Sequence, residues 1–150
     1  MKKNFLIRQY LADKKMIIKH NYLSDQFKNS KKIFNLIQDT VKFNDFTLGR
    51  YVELFEKEFS KYQKVKYSIG VGSGTDAIFL SLKALGIKEG DEIITPTYSF
   101  YATAGAIATA GAKPIFIDIK DDLNIDENKI EKKITKRTKA IVPVHWSGRI

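Results

Sequence analysis

The sequence predicts an α/β fold, a three-layer α/β/α arrangement around a mostly parallel sheet. Beyond residue 65, short apolar runs alternate along the chain with segments of helical length, which is the pattern of repeated β-α-β units. The apolar runs are continuous rather than alternating with polar residues, and this is typical of parallel strands covered on both faces. We expect the crossovers between these strands to be right-handed.

Two amphipathic helices are expected before the alternating region. They span about residues 31–41 and 51–63, because apolar residues recur there at spacings of three and four. These residues are Ile33, Leu36, Ile37 and Val41 in the first helix, and Val52, Phe55, Phe59 and Tyr62 in the second. The sequence FNDFTLGR between them predicts a loop.

Strands and helices then follow one another. Strands are predicted at residues 66–72, 91–96, 113–119 and 138–146. Helices are predicted at residues 75–86, 102–111 and 125–134. Gly86 and Gly111 mark the ends of the first two of these helices, and Pro96 ends a strand.

The composition indicates a soluble globular protein. The chain has 150 residues, 43% of them hydrophobic and 29% charged, which is enough for one domain with a real core. It has no cysteine, so a disulfide framework and a Cys-based zinc site are excluded, and we expect no metal. The sequence shows neither a signal-peptide pattern nor an apolar run long enough to span a bilayer, so we expect a cytoplasmic protein without a membrane partner.

The positive charge is concentrated near the N-terminus. The formal net charge is +9, and the first 50 residues hold 11 Lys or Arg against four Asp. A surface that attracts polyanions is one interpretation, but a solvated lysine-rich face is favoured, and no nucleic-acid-binding motif is present. We therefore divide the chain into a basic segment or arm, 1–28, and a domain beginning at residue 29, and we expect no nucleic-acid partner.

A glycine-rich turn connects the first predicted strand to a helix. Its sequence, GVGSGTDAIF, presents backbone N–H groups at the positive end of the helix dipole, and Gly72 and Gly74 carry no side chain to keep an anion away. Ser73 or Thr75 can cap the helix. The expected ligand is a phosphate, which gains about 0.3–1 kcal/mol from the dipole. A plain capped turn is an equally good interpretation of this stretch alone.

Two common phosphate motifs fit the turn poorly. A P-loop requires Gly-Lys-Ser/Thr, whereas Gly74 is followed by Thr75 and Asp76. The dinucleotide fingerprint G-x-G-x-x-G has Thr75 in its third glycine position, and the next strand ends without the acid that would hold a ribose. A nicotinamide-dependent oxidoreductase stays open as an alternative function.

An ordered set of motifs resembles a known family. GSGTDAIFLSLKALGIKEGDEIITPTYSFYATAGAI (72–107), GAKPIFIDI (111–119), NID (124–126) and TKAIVPVH (138–145) are similar to the N-terminal half of the DegT/DnrJ/StrS sugar-nucleotide aminotransferases. The resemblance begins near FTLGRYVELFEKEF and covers about two-thirds of the chain. It implies part of the large domain of the fold type I transferases, which use pyridoxal 5'-phosphate (PLP).

The resemblance also implies roles for single residues. Gly74, Thr75 and the backbone of Asp76 match the phosphate cup of the cofactor, and Phe100 matches the aromatic residue that lies against the pyridine ring. Asp118 and Asp126 match family positions with structural roles, at the end of a strand and at a helix cap. His145 follows the last predicted strand, and a framework role is favoured for it over a place in the site.

The expected activity is transfer of an amino group, from glutamate, to a keto-sugar nucleotide by a cytoplasmic homodimer in glycan biosynthesis. The family's Schiff-base lysine lies in a Ser-Phe-x-x-x-Lys context that this sequence does not contain. We therefore expect the sequence to be the N-terminal part of a longer enzyme, with no catalytic residue of its own. A sugar dehydratase of the same family and a non-catalytic module that binds an anionic partner are the further alternatives.

Overall fold

In a computed structural model, residues 21–148 and residue 150 are described. Most of the basic segment predicted at residues 1–28 therefore lies outside the described residues. The chain divides into two compact units, residues 1–64 and residues 65–150. None of the described helices is long and apolar enough to cross a bilayer.

The first unit is helical in its described part. It contains a short helix α1 (Leu23–Gln26), then α2 (Ser30–Lys42) and α3 (Arg50–Gln63). The two predicted amphipathic helices are confirmed within one residue at each end. None of their residues is buried, so the apolar face of each helix is largely exposed.

The second unit contains a three-stranded parallel sheet with the order β2-β1-β3. The strands are β1 (Glu92–Pro96), β2 (Lys113–Ile117) and β3 (Thr138–Ile141). Its α-helices are α4 (Gly74–Ala84) and α5 (Tyr101–Thr109). The α/β class and the parallel sheet are thus confirmed, with the central strand β1 buried along its whole length.

The core forms where α4 and α5 meet the sheet. The two helices pack on each other, and α5 also contacts β1 and β2. The buried cluster consists of Leu82, Ile87, Ile93, Ile107, Ala110 and Ala112. Gly111 ends α5 with a φ of +95°, in the left-handed region that favours glycine. This packing holds α4 against α5, which in turn contacts the sheet.

The strand predicted at residues 66–72 is wrong, because the structure has no strand there. Tyr67 and Ile69 are 73% and 81% exposed, and the segment joins neither β1 nor its neighbours in a ladder. Apolar composition alone does not make a strand, since the backbone groups of a strand must be paired with a neighbouring strand.

The helix predicted at residues 125–134 is also wrong. The structure has two short 3₁₀ turns instead, Glu127–Lys129 and Glu131–Lys133. Ile125 is held by an antiparallel bridge to Ile119, and none of the residues in the two turns is buried. A short segment without a buried apolar face gains too little from packing to complete an α-helix.

The last predicted strand, 138–146, is confirmed only as far as Ile141. The amide of Val142 still donates to the carbonyl of Ile94 at 2.8 Å, and the Thr95 hydroxyl donates to the carbonyl of Val142 at 3.0 Å. Pro143 has no N–H to donate, so the ladder ends there.

Candidate functional site: the N-terminus of helix α4

The start of α4 is fixed by a reciprocal pair of hydrogen bonds. Ser73 is the N-cap residue, with φ −160° and ψ 167°, and its Oγ accepts the Asp76 amide at 3.1 Å. The same hydroxyl donates to Oδ2 of Asp76 at 2.9 Å. Of the two cap candidates in the sequence, the structure therefore uses Ser73 and leaves the Thr75 hydroxyl for other partners.

Within the helix itself, two amides have no acceptor. A helix that begins at Gly74 has no intrahelical acceptor for the N–H groups of Gly74 and Thr75. Both residues are exposed, and a Cβ added at Gly74 would meet no other atom within 4 Å. The space in front of these amides is open, and the helix dipole makes it favourable for an anion.

The two glycines of the turn differ in their surroundings. A Cβ added at Gly72 would lie 3.0 Å from Oδ2 of Asp76, whereas the approach to Gly74 is open. An anion was expected to approach both glycines. In the structure the Asp76 carboxylate lies beside Gly72, so only the approach to Gly74 is open.

The N-terminus of α4 lies toward the carboxyl edge of the sheet. The C-terminal ends of α4 and α5 are joined by Lys83, whose Nζ donates to the carbonyl of Ala110 at 3.5 Å. α5 begins just after β1 ends at Pro96, so its own N-terminus lies at the carboxyl edge. Since α4 packs along α5 from this shared end, its N-terminus points to the same edge, where open α/β sheets bind ligands.

Phe100 is the N-cap residue of α5, at the same edge. The residue is 63% exposed, and its ring centroid lies 4.3 Å from that of Tyr101 at an interplanar angle of 52°. The ring is thus outside the core and accessible from solvent. Among the described residues, no ring contact or hydrogen bond connects Phe100 to the turn at 72–76.

A second group of polar residues, which the sequence did not predict as a site, lines a cavity of about 230 Å³. Lys120, Asn124, Glu127 and His145 contribute to its wall. Lys120 pairs with Glu127 at 2.8 Å, and their hydrogen bond lowers the pKa of Glu127 and raises the pKa of Lys120. The wall is formed by two segments, around residues 120–127 and 143–150, that come together only in the folded chain. The NID motif alone therefore did not indicate this cavity.

Asp118 and Asp126 have structural contacts. Oδ1 of Asp126 accepts the Asn128 amide at 3.2 Å, which caps the first 3₁₀ turn. Lys129 lies 3.4 Å from Asp118 and 3.3 Å from Asp126. These contacts bind the loop after β2 together and do not place either carboxylate beside α4.

Fold and site together define a class of protein. An α/β chain with a capped, glycine-open helix start at the carboxyl edge of a parallel sheet offers a position that is electrostatically favourable for an anion. The model of the DegT/DnrJ/EryC1/StrS aminotransferase family matches residues 28–150, and the chain belongs to that family. Membership in this family disfavours the nicotinamide alternative, which rested on an incomplete fingerprint.

Several curated relatives match most of the chain, and two of the three named here carry the name of an activity. The chain is 43% identical over 130 residues to the "pleiotropic regulatory protein" of Geobacillus stearothermophilus, covering 85% of this chain and 35% of that protein. It is 45% identical over 118 residues to the 3-oxo-glucose-6-phosphate:glutamate aminotransferase of Bacillus subtilis, covering 78% and 27%. It is 35% identical over 130 residues to the dTDP-3-amino-3,4,6-trideoxy-alpha-D-glucose transaminase of Micromonospora megalomicea, covering 86% and 35%. The chain thus spans about a third of the length of these curated relatives.

Solved structures share the fold. DesV of S. venezuelae, in complex with a ketimine intermediate, superposes with a TM-score of 0.80 at 34% identity, covering 86% of this chain and 35% of that one. NtdA of Bacillus subtilis, with bound cofactor PMP, gives 0.78 at 39%, covering 91% and 33%. A GDP-4-keto-6-deoxymannose-3-dehydratase with a trapped PLP–glutamate geminal diamine gives 0.68 at 35%, covering 75% and 31%. These matches confirm part of a fold type I domain.

Proposed function

We propose that this chain belongs to a PLP-dependent aminotransferase that moves an amino group from glutamate to a keto-sugar nucleotide in glycan biosynthesis. The proposal is supported by the family match over residues 28–150 and by relatives named as a glutamate aminotransferase and a dTDP-sugar transaminase. Because the chain spans about a third of these relatives, the activity is assigned to the complete protein.

The residues at the start of α4 fit the phosphate of PLP. Gly74 and Thr75 offer unpaired helix-start amides in an open position, and the Thr75 hydroxyl adds a third donor. Asp76 lies in the first turn of the helix, and its amide already donates to Oγ of Ser73 at 3.1 Å. These donors carry no charge of their own and lie at the positive end of the helix dipole, which suits a phosphate dianion.

Phe100 fits the second feature that PLP requires, a flat apolar contact for the pyridine ring. Its exposed ring stands at the carboxyl edge and can lie against an aromatic ligand. When bound, PLP supplies an electron sink for reactions at the carbon that carries the amino group. This chain's contribution is to hold the phosphate and one face of the ring.

The observation that carries this assignment is the open helix start at Gly74 in a chain of this family. We would titrate the 150-residue chain with PLP, with pyridoxal as the ligand that lacks the phosphate, and follow backbone amide shifts by NMR. PLP should shift the amides of Gly74 and Thr75, and pyridoxal should leave them unchanged. Equal responses to both ligands, or shifts confined to other parts of the chain, would refute the phosphate seat.

A dehydratase is a second candidate, because a GDP-4-keto-6-deoxymannose-3-dehydratase is among the structures that share the fold at 35% identity. The two activities differ in the fate of the amino group. With ¹⁵N-glutamate and a keto-sugar nucleotide, a complete aminotransferase places ¹⁵N in the sugar product. A dehydratase yields a deoxy sugar without the label.

Three further properties belong to this proposal. We assign residues 29–150 to the PLP-binding large domain and residues 1–28 to a separate basic arm, in line with a family match that begins at residue 28. We place the complete enzyme in the cytoplasm and expect a homodimer, as the resemblance implies. Light scattering of the complete protein would test the dimer.

A further inference from the structure

A second aromatic pair stands at the carboxyl edge of the sheet. Tyr98 follows the end of β1 at Pro96, and Trp146 follows β3, which ends at Ile141. Their ring centroids lie 4.5 Å apart at an interplanar angle of 45°. Because β1 and β3 are parallel neighbours, both residues lie at the edge where open α/β sheets bind ligands.

The geometry of this pair leaves ring surface for a ligand. Two rings inclined at 45° do not cover each other's faces, and Tyr98 is 45% exposed. Trp146 is partly buried and begins a short turn, in which the Gly148 amide donates to the carbonyl of His145 at 3.1 Å. We call Tyr98 and Trp146 the aromatic platform.

The cavity of about 230 Å³ adjoins the platform along the chain. Its wall comes from the loop after β2 and from residues 143–145, which precede Trp146. Since β1 lies between β2 and β3, this cavity spans the carboxyl end of β1. The wall holds two carboxylates, Asp122 and Glu127, against one lysine, Lys120, which already pairs with Glu127 at 2.8 Å. That balance disfavours a phosphate and favours hydroxyl groups, which donate to carboxylates.

The proposed reaction brings two aromatic groups to this edge. The pyridine ring of PLP is assigned to Phe100, whose ring pairs with that of Tyr101. A sugar nucleotide carries a second aromatic group, its nucleobase, with ribose hydroxyls next to it. The edge presents two separate ring pairs, and the proposed PLP site uses only one of them.

We propose that Tyr98 and Trp146 bind the nucleobase of the sugar-nucleotide substrate by stacking, with the ribose directed toward the adjoining cavity. This inference rests on the proposed function and adds the place where one part of the substrate binds. Stacking on aromatic side chains tolerates different bases, because every base has a π face. The platform therefore supplies affinity for a nucleotide without selecting one base.

The single tryptophan of the sequence makes the platform directly observable, because the fluorescence of Trp146 reports on this place alone. The 150-residue chain is titrated with guanosine, with thymidine and with ribose 5-phosphate, which lacks a base. N-acetyltryptophanamide in the same solutions corrects for light absorbed by the bases. We expect saturable quenching by both nucleosides, with dissociation constants within about fivefold of each other, and none by ribose 5-phosphate. If neither nucleoside quenches saturably, or if ribose 5-phosphate quenches equally, the inference is overturned.

Variants test the stacking contact. Tyr98→Phe keeps a ring and should bind the nucleosides within about twofold of the native chain, whereas Tyr98→Leu should weaken binding by about fivefold or more. Tyr67→Leu, at a tyrosine that is 73% exposed before the turn at 72–76, is the matched control and should bind as the native chain does. An undiminished affinity in Tyr98→Leu, or an equal loss in Tyr67→Leu, would contradict the stacking role.

A measurement on the native chain guards against a variant that does not fold. Circular dichroism compares each variant with the native chain, and should Tyr98→Leu be unfolded, nuclear Overhauser effects between base protons and the indole protons of Trp146 replace it. Their absence at saturating guanosine would overturn the inference.

Failure of this inference is distinguishable from failure of the proposed function. If PLP shifts the amides of Gly74 and Thr75 while no nucleoside quenches Trp146, the platform is refuted and the PLP site stands. If the nucleosides quench as expected but the complete protein transfers no ¹⁵N from glutamate to a keto-sugar nucleotide, the platform stands and the proposed function fails.

Discussion

Glu92 and Arg137 form a salt bridge at the beginning of the central strand β1. Oε1 of Glu92 accepts both Nε and Nη2 of Arg137, at 2.9 and 2.7 Å, and Oε2 accepts the Thr135 hydroxyl at 2.6 Å. The amide of Glu92 also donates to the carbonyl of Arg137 at 2.8 Å. These contacts tie the entry of β1 to the segment before β3, where the register between the two strands shifts.

The pair predicts a dependence of stability on pH. The hydrogen bond from Thr135, followed by that from Arg137, holds the pKa of Glu92 below its ordinary value of 4.5. A carboxyl whose pKa is lowered by folding contributes stability that is fully present above the unfolded value and is lost as pH falls through the folded value. The free energy of unfolding should therefore decrease below about pH 4.5.

Urea denaturation at about pH 6 and about pH 3.5 measures this effect. Glu92→Gln should be less stable than the native chain at the higher pH, because Arg137 loses its charged partner, and should depend less on pH. Asp118→Asn, which alters an exposed pair with Lys129, is the control and should change stability much less. An unchanged pH dependence in Glu92→Gln would contradict the prediction.

Ser73→Ala should destabilise the chain by about 1 kcal/mol, since the Asp76 amide loses its acceptor at the start of α4. Ser81→Ala is the matched control in the same helix. Ser81 is exposed, and alanine is the better helix former, so this change should be neutral or slightly stabilising. Thermal unfolding followed by circular dichroism compares the two variants. Similar losses in both would mean that Ser73 does not act as the cap.

Two glycine-to-alanine substitutions should affect different properties, one the affinity for PLP and the other the stability of the chain. Gly74→Ala should leave stability within about 0.5 kcal/mol, because the added Cβ meets no atom within 4 Å, yet it should weaken PLP binding by filling the space in front of the amides. Gly111→Ala should cost about 1–2 kcal/mol, because its φ of +95° disfavours a side chain and the Cβ would lie 3.2 Å from the Glu89 amide nitrogen.

Denaturation curves and PLP titrations of both variants, with the native chain alongside, test this pair. The assignment of Gly74 to the site would be refuted by a Gly74→Ala chain that binds PLP as tightly as the native chain.

Phe100→Leu should reduce affinity for PLP by about two- to tenfold while having little effect on stability. The reason is that the ring is 63% exposed and packs beside Tyr101 rather than in the core. Phe116→Leu, at a phenylalanine that is 47% exposed in β2, serves as the matched control and should leave PLP binding unchanged. Fluorescence titration with PLP gives the affinities. An equal loss in both variants would indicate a general effect on the fold.

Much of the fold could be predicted from local pattern. The helices α2 to α5 and the strand β1 follow from apolar spacing and from Gly or Pro at their ends, and the ordered motifs identified the family. The secondary structure predicted for two segments that depend on distant partners is wrong. Residues 66–72 have strand composition but pair with no strand in the described sheet, and residues 125–134 have helical spacing but bury no apolar face.

The sequence by itself determined the class of the protein and the chemistry of the turn at 72–76, because glycine, serine and threonine at the start of an apolar helix act through their nearest neighbours in the chain. The tertiary structure decided which donors remain for a ligand. Only the folded structure shows that the Asp76 carboxylate turns back onto Ser73 beside Gly72, and that α4 packs on α5, the helix that begins after Phe100. Those relations depend on directions in space, which spacing along a chain does not encode.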